Sequence, residues 1–179
     1  MIGWRGPEAD PLDISEINEA FPIGFGQTIS QPMTVAFMLE LLQPQKGQKI
    51  LDIGSGSGWT TALLSFIAEP GKVIGLEIVP ELSEFGKENV EKYGFISRKI
   101  AEIILADGRQ GYKQEAPYDR ILASATAEKI PQAWKDQLKT GGRLVAPVKN
   151  KIVMLQKNKN NKFETEEYSG FAFVPLVKK

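Results

Sequence analysis

The run from Lys49 to Trp59, Lys-Ile-Leu-Asp-Ile-Gly-Ser-Gly-Ser-Gly-Trp, constrains the fold more than any other part of the chain. Ile50, Leu51 and Ile53 form an apolar stretch typical of a strand buried on both faces of a parallel sheet. The glycines that follow allow a sharp turn and let backbone N–H groups approach a ligand. Residues 60–68 are largely apolar, with neither glycine nor proline, and predict a helix. Together they predict the strand, turn and helix that open a nucleotide-binding unit.

The residues around the glycines distinguish between possible ligands. A dinucleotide fingerprint has glycine or alanine at the position of Trp59, and a P-loop needs a Gly-Lys-Ser/Thr sequence that this chain lacks. Asp52, two residues before the first glycine, would repel a pyrophosphate but could accept hydrogen bonds from an ammonium group. The alternative is a tight structural turn without a ligand. The combination of strand, acid and glycines favours the ligand.

Two more acids are predicted at the ends of neighbouring strands. Residues 72–76 predict the second strand, and Glu77 ends it where ribose hydroxyls are usually bound in folds of this kind. A surface glutamate that caps the next helix is the alternative for Glu77. Residues 100–105 predict a third strand, followed by Asp107. Because ligands bind at the carboxyl ends of parallel strands, these two acids and Asp52 should converge on one crevice.

The composition limits the chemistry. The chain contains no histidine and no cysteine, which excludes disulfides, Cys/His zinc sites and Ser-His or Cys-His relays, and no metal site is expected. The net charge of +0 gives no indication of a nucleic-acid or anionic-membrane surface. No apolar run approaches the length that spans a membrane, so we expect a cytoplasmic protein. We also expect a monomer.

Strands alternate with helices without a linker or repeat, which predicts one α/β domain with a doubly wound, mainly parallel sheet. We expect a loosely structured arm at residues 1–22 and a single domain at 23–179. Further helices are predicted at 33–42, 80–93 and 131–138, the last stopped by Thr140-Gly141-Gly142. Further strands are predicted at 118–123, 143–148, 151–156 and 171–177, the last two as a closing antiparallel pair around a solvated polar segment at 157–167.

Several runs occur together in a characteristic order. They are Ile-Gly-Phe-Gly-Gln-Thr-Ile-Ser at 23–30, the glycine motif, Ala-Asp-Gly-Arg-Gln-Gly at 106–111, Ala-Pro-Tyr-Asp-Arg-Ile at 116–121, the run 137–148 and Phe-Val-Pro-Leu at 173–176. In this order they resemble the protein-L-isoaspartate O-methyltransferases, which methylate isomerised aspartyl residues of damaged proteins. The Gly-Gln-Thr-Ile-Ser run is the most family-specific of them.

The resemblance implies a Rossmann-like class I methyltransferase fold, S-adenosyl-L-methionine as cofactor and an isoaspartyl peptide or protein as substrate. It implies Ser30 as the active-site serine, with Thr28 beside it. The residues it implies for cofactor binding are Asp52, Gly54, Ser55, Gly56 and Gly58 at the glycine loop, Glu77 and Ile78 at the ribose, and Asp107 and Gly108 at the adenine. A carboxylate acceptor is already ionised at neutral pH, so an enzyme without histidine could methylate it by orienting its oxygen, with Ser30 donating a hydrogen bond. A cap for the next helix is the alternative role for Ser30.

Three departures from the family pattern concern the acceptor side. Met33 stands where the family usually has histidine, residues 124–128 replace Thr-Ala-Ala-Ala-Pro, and the region before the glycine-glutamine loop is shortened. A methyltransferase of another carboxylate or peptide, and a cofactor-binding protein without repair activity, are therefore alternatives. A nicotinamide-dependent oxidoreductase is a third, which Trp59 and Asp52 disfavour.

Overall fold

The computed structural model describes residues 18–177. Its helices are α1 (Pro32–Leu42), α2 (Trp59–Ala68), α3 (Pro80–Glu91) and α4 (Gln132–Gln137). Its strands are β1 (Phe21–Gly24), β2 (Gln27–Ile29), β3 (Lys49–Ile53), β4 (Lys72–Glu77), β5 (Ala101–Leu105), β6 (Tyr118–Ala123), β7 (Leu138–Val148), β8 (Lys151–Lys157) and β9 (Phe163–Ser169). The arm expected at 1–22 lies mostly outside the described residues, and β1 begins within its last part.

The main sheet has seven strands in the order β5-β4-β3-β6-β7-β8-β9. The five strands from β5 to β7 are parallel, and β7, β8 and β9 pair antiparallel. This confirms the α/β class, the mainly parallel sheet and the antiparallel strands at the C-terminal side. The chain leaves β3 for β4 on one side of it and later returns as β6 on the other. The carboxyl ends of β3 and β6 therefore form the topological switch point, where such folds bind ligands.

Strand β3 lies at the centre of the core and is buried on both faces, as the sequence predicts. Leu51 and Ile53 pack in one apolar cluster, which also contains Trp134 of α4. Ile50 packs on the other face with Leu42 of α1. All five side chains are fully buried. The core thus fixes the end of β3, and with it the start of the glycine loop.

The partner of β8 differs from the prediction. β8 pairs with β9, so much of the polar segment expected to be solvated is a strand, and residues 171–177 form no strand. Because β9 is an edge strand with solvent beside it, it tolerates exposed acids such as Glu164 and Glu166. Residues 171–177 instead run beside Thr126, whose N–H donates to Val174 O at 2.8 Å and whose O accepts from Leu176 N at 2.9 Å.

Two other predictions about local structure were wrong. The stop expected at residues 140–142 lies inside β7, because α4 already ends at Gln137 and the strand begins at the next residue. The two glycines and two prolines of residues 21–32 predict a loop, but this segment contains the hairpin β1-β2 before α1 begins at Pro32. None of the helices in the described part of the chain is long and apolar enough to cross a membrane.

Gly58 allows helices α2 and α3 to approach each other closely. Its φ is +81°, and a Cβ atom there would lie 2.6 Å from Gly86 O. We expect Gly58→Ala to lower the free energy of unfolding by about 3 kcal/mol, from a left-handed backbone that disfavours a side chain and from overpacking. Gly141→Ala is the control, because Gly141 has a φ of +80° but no atom within 4 Å of the added Cβ. We expect Gly141→Ala to lower the free energy of unfolding, measured in urea, by only about 1 kcal/mol. Equal losses in the two variants would contradict the packing argument.

Candidate active site

Three adjoining cavities open at the carboxyl ends of the strands. The glycine-loop cleft, about 590 Å³, is lined by residues 53–54, 56, 76–79, 106, 108 and 124–125, by Ile23, Gln27 and Thr28 of the hairpin, and by residues 174–177. The hairpin cleft, about 1140 Å³, is lined by residues 20, 28, 30–31, 34, 124 and 170–174. The middle cavity, about 300 Å³, shares lining residues with both. Neither lysine nor arginine lines any of the three in the described part of the chain.

The backbone of the glycine loop is engaged with strand β4 and Glu77. The N–H groups of Gly54 and Ser55 both donate to Leu76 O, at 2.8 and 3.0 Å, and Gly56 N donates to Glu77 Oε2 at 2.8 Å. These N–H groups therefore do not form an anion-binding nest, and no lysine or arginine among residues 18–177 lines the cleft to neutralise a phosphate. This arrangement disfavours the dinucleotide alternative and suits a ligand without phosphate groups.

Glu77 holds the turn between β4 and α3 from within the cleft. Besides Gly56, its carboxylate accepts hydrogen bonds from Ile78 N at 2.8 Å and Val79 N at 3.0 Å, and the residue is only 6% exposed. The oxygen that faces Gly56 accepts one hydrogen bond within the described residues, and a carboxylate oxygen can accept a second. The alternative of a surface glutamate that caps α3 is wrong, because Glu77 is buried and α3 has Val79 as its N-cap residue without a side-chain cap hydrogen bond. The carboxylate organises the turn before α3 and lines the cleft.

Asp52 lies beneath the glycine loop and lines none of the cavities, in contrast to the open carboxylate that the sequence predicts. It is fully buried, and its Oδ2 accepts hydrogen bonds from the hydroxyls of Thr60 and Thr61, both at 2.7 Å. Its Oδ1 and the nearby buried Ser55 Oγ have no hydrogen-bond partner within the described residues. Burial raises the pKa of Asp52 to about 6, against the lowering effect of the two threonine hydroxyls, and the charge of Glu77 adds to the rise.

Asp107 and Gly108 follow β5 at the opposite end of the glycine-loop cleft. The Asp107 carboxylate accepts hydrogen bonds from Arg109 Nε and from Arg109 N, at 3.0 Å, and it does not line the cleft. Gly108 does line it, and a Cβ there would lie 2.5 Å from Ile53 Cγ2. Trp134 Nε1 fixes this turn by donating to Gly108 O at 2.8 Å. At this end the cleft wall therefore consists of backbone and apolar side chains. They include Ile78, which the family resemblance implies at the ribose.

Thr28 and Ser30 lie where the hairpin meets the clefts. Thr28 lines all three cavities, and Ser30 lines the hairpin cleft and the middle cavity. Helix α1 has Gln31 as its N-cap residue and no side-chain cap hydrogen bond, so Ser30 does not act as the cap. Met33 is 66% exposed and lines none of the cavities. Gly58, expected at the cofactor, packs against α3 instead and lines no cavity.

Comparison with known proteins identifies the family to which the chain belongs. Residues 15–179 match the family described as protein-L-isoaspartate(D-aspartate) O-methyltransferase. A curated relative, the protein-L-isoaspartate O-methyltransferase of Methanopyrus kandleri, is 39% identical over 173 residues, covering 94% of this chain and 76% of the relative. The chain belongs to the protein-L-isoaspartate O-methyltransferase family. The enzyme of that name from Pyrococcus abyssi is 40% identical over 168 residues, covering 91% of this chain and 76% of the relative.

A solved structure agrees with this assignment. The structure described as a protein-L-isoaspartate O-methyltransferase from Plasmodium falciparum, in complex with S-adenosyl-L-homocysteine, superposes with a TM-score of 0.82 at 27% sequence identity. The match covers 94% of this chain and 84% of that one. The class I methyltransferase fold expected from the motifs is therefore confirmed.

The sequence did not reveal every residue that shapes the site. Thr60 and Thr61, which bind Asp52, and Ser124, which lines all three cavities, were not among the predicted site residues. A signal for Ser124 was present, because it directly follows a predicted strand of the parallel sheet. No group of three or more acidic side chains in residues 18–177 is arranged to hold a metal ion.

Proposed function

We propose that this protein is an S-adenosylmethionine-dependent carboxyl O-methyltransferase that acts on L-isoaspartyl residues of damaged proteins. The observation that carries the proposal is the junction of two clefts at Thr28. One cleft has the glycine loop and Glu77, and the other presents neutral hydroxyl and amide groups without a base. Family membership and the activity for which the relatives are named support the same assignment.

The cofactor fits the glycine-loop cleft on three counts. A Cβ at Gly54 would meet only Ala125, and the loop carries no side chain that would fill the space at Gly54 or Gly56. Glu77 would accept the ribose hydroxyls, and Gly108 with Ile78 would border the adenine. When bound, S-adenosylmethionine supplies a methyl group already activated by its sulfonium. Asp52 would act on the cofactor's amino-acid end through its charge beneath the loop, since it makes no direct contact with the cleft.

The chain's own task is then to hold an acceptor carboxylate. A carboxylate with a usual pKa near ~4 is ionised at neutral pH, so no residue needs to remove a proton. Ser30 and Thr28 would donate hydrogen bonds that orient the acceptor oxygen in line with the methyl group.

Methyl transfer to paired peptides tests the proposal. The two peptides differ only in carrying aspartate or L-isoaspartate, and the methyl group of S-adenosylmethionine is labelled. We expect label on the isoaspartyl peptide alone, released by mild base as a methyl ester. Cofactor binding without transfer to either peptide would contradict the proposal and would identify a different acceptor or a binding protein without repair activity.

The exposed position of Met33 weakens the main competitor, a methyltransferase of another carboxylate. Met33 is the departure from the family pattern that follows Ser30 most closely along the chain, but its side chain is 66% exposed and lines none of the three cavities. Methionine instead of histidine at position 33 therefore leaves the cavity walls unchanged, whereas Ser124, within the departure at residues 124–128, does line them. A competition assay with small-molecule carboxylates would separate the two functions, because only another acceptor would displace the isoaspartyl peptide.

We expect Ser30→Ala to lower kcat/KM for the isoaspartyl peptide by about tenfold, the loss expected for one hydrogen bond to a charged group. The dissociation constant of the cofactor should stay within about twofold of the wild-type value, because Ser30 does not line the glycine-loop cleft. Ser30→Thr, which keeps a hydroxyl, should retain most of the activity. Unchanged turnover in Ser30→Ala would remove this residue from the acceptor site.

The finer assignments belong to the same proposal. We place the protein in the cytoplasm as a monomer, with residues 23–179 as one cofactor-binding methyltransferase domain and without a nucleic-acid or membrane partner. The absence of a membrane-spanning helix from the described residues and the zero net charge support the part of this proposal that excludes membrane and nucleic-acid partners. Sedimentation at assay concentration tests the monomer, and limited proteolysis tests the domain boundary.

A further inference from the structure

The methyl group must pass from the glycine-loop cleft to the hairpin cleft, so the reacting atoms must meet where the cavities adjoin. This step rests on the proposed function. Among the described residues, only Thr28 and Ser124 line all three cavities. Thr28 is already placed at the acceptor by the family motif. Ser124 has no assigned role.

Ser124 is held firmly at the switch point of the sheet. It directly follows β6, and its N–H donates to Ile53 O of β3 at 2.9 Å. The next residue, Ala125, is buried, and its Cβ would lie 3.7 Å from a Cβ built at Gly54. The Ser124 side chain is half-buried, and its hydroxyl makes no hydrogen bond within residues 18–177. A rigid backbone thus presents an unused hydroxyl donor to the junction.

We propose that Ser124 is a catalytic residue that donates a hydrogen bond to the acceptor carboxylate, from the sheet side, while Thr28 does so from the hairpin side. Thr28 lies in the hairpin and Ser124 follows β6, so the acceptor carboxylate would be held from two separate parts of the fold. In the transfer, a lone pair of the carboxylate oxygen forms the new C–O bond. The C–S bond breaks with its electron pair going to the sulfonium sulfur, and Ser124 keeps its proton throughout.

A neutral donor suits this reaction better than a cation. The carboxylate loses its negative charge as the C–O bond forms, so a lysine or arginine would stabilise the ground state more than the transition state. No such side chain lines the three cavities in the described part of the chain. A hydroxyl group can orient the oxygen while stabilising the charged ground state less than a lysine or arginine would, because a hydrogen bond between two charged partners is the strongest kind.

Ser124→Ala and Ser124→Thr, compared with the full-length wild-type chain, test the assignment. We expect Ser124→Ala to lower kcat/KM for the isoaspartyl peptide by about tenfold, the effect of one hydrogen bond to a charged group. Ser124→Thr should recover activity to within about threefold of wild type, since it restores the donor. The control is Ser169→Ala, because Ser169 is exposed at the end of β9, lines no cavity and should leave the kinetics unchanged.

Cofactor affinity and thermal unfolding separate a catalytic role from a structural one. In Ser124→Ala the unfolding temperature should match the wild type, because the backbone bond to Ile53 does not depend on the side chain, and the cofactor affinity should change much less than kcat/KM. Wild-type activity in Ser124→Ala, or a loss of stability that parallels the loss of activity, would overturn the role of Ser124 alone. A wild-type chain that binds cofactor but is inert toward the isoaspartyl peptide would instead overturn the proposed function, and this inference with it.

Discussion

Glu77→Ala is expected to weaken cofactor binding by about 100-fold or more, the largest effect of any single substitution in the clefts. The carboxylate accepts three backbone hydrogen bonds, from Gly56, Ile78 and Val79, and is the only acidic side chain that lines the glycine-loop cleft within residues 18–177. Its removal frees both the loop and the turn before α3, and it also removes the proposed ribose acceptor. Isothermal titration with S-adenosylhomocysteine measures the affinity without interference from turnover.

Glu77→Gln keeps the shape of the side chain but removes its charge and replaces one oxygen acceptor with an NH₂ donor. The glutamine amide has the same shape as the carboxylate, but one of its two edges is an NH₂ donor. Because backbone N–H groups face both oxygens of Glu77, either orientation of the amide sets donor against donor. We therefore expect glutamine to lose about tenfold in affinity, less than alanine. Glu88→Gln, an exposed exchange on α3, is the control, and equal affinities in all three variants would contradict this role for Glu77.

The regular part of the fold follows from local patterns. The run of Ile50, Leu51 and Ile53 predicted a strand buried on both faces, and the alternation of most strands with helices predicted the parallel sheet. Both signals are repeated along the chain and do not depend on distant contacts. The strand-end rule predicted that Asp52, Glu77 and Asp107 converge on one crevice, and of these three only Glu77 lines the cleft.

The remaining features depend on contacts between distant segments. The pairing of β8 with β9 could not be read from residues 157–167, because an edge strand carries charged residues on its solvent sides and resembles a loop. The position of Asp52 beneath the loop depends on the hydroxyls of Thr60 and Thr61, and a turn motif does not say which way a carboxylate points. Ser124 gains its importance only when the hairpin, the loop and residues 170–177 enclose the cavities around it.

Asp52→Asn is expected to change how the stability of the cofactor-free protein depends on pH. The pKa of Asp52 is raised to about 6 in the folded chain, chiefly by burial, so between pH ~4 and ~6 the folded state holds a proton that the unfolded state has lost. The contribution of Asp52 to stability is therefore fully present below pH ~4 and is lost as the pH rises through about 6, a change of about 3 kcal/mol. Asparagine does not titrate, so Asp52→Asn should gain about 3 kcal/mol relative to wild type over this range in urea unfolding.

The same substitution should affect cofactor binding in the opposite direction. An ammonium group near the loop would favour the ionised form of Asp52, so wild-type affinity should rise as the pH is raised from ~5 to ~7, where the ammonium stays protonated. Asp52→Asn should remove this dependence and bind about tenfold more weakly at pH ~7. Asp136→Asn, an exposed change on α4, should retain the wild-type profile. If Asp52→Asn kept the wild-type rise in affinity, the charge beneath the loop would have no part in holding the cofactor, and its role would be confined to the turn that Thr60 and Thr61 complete.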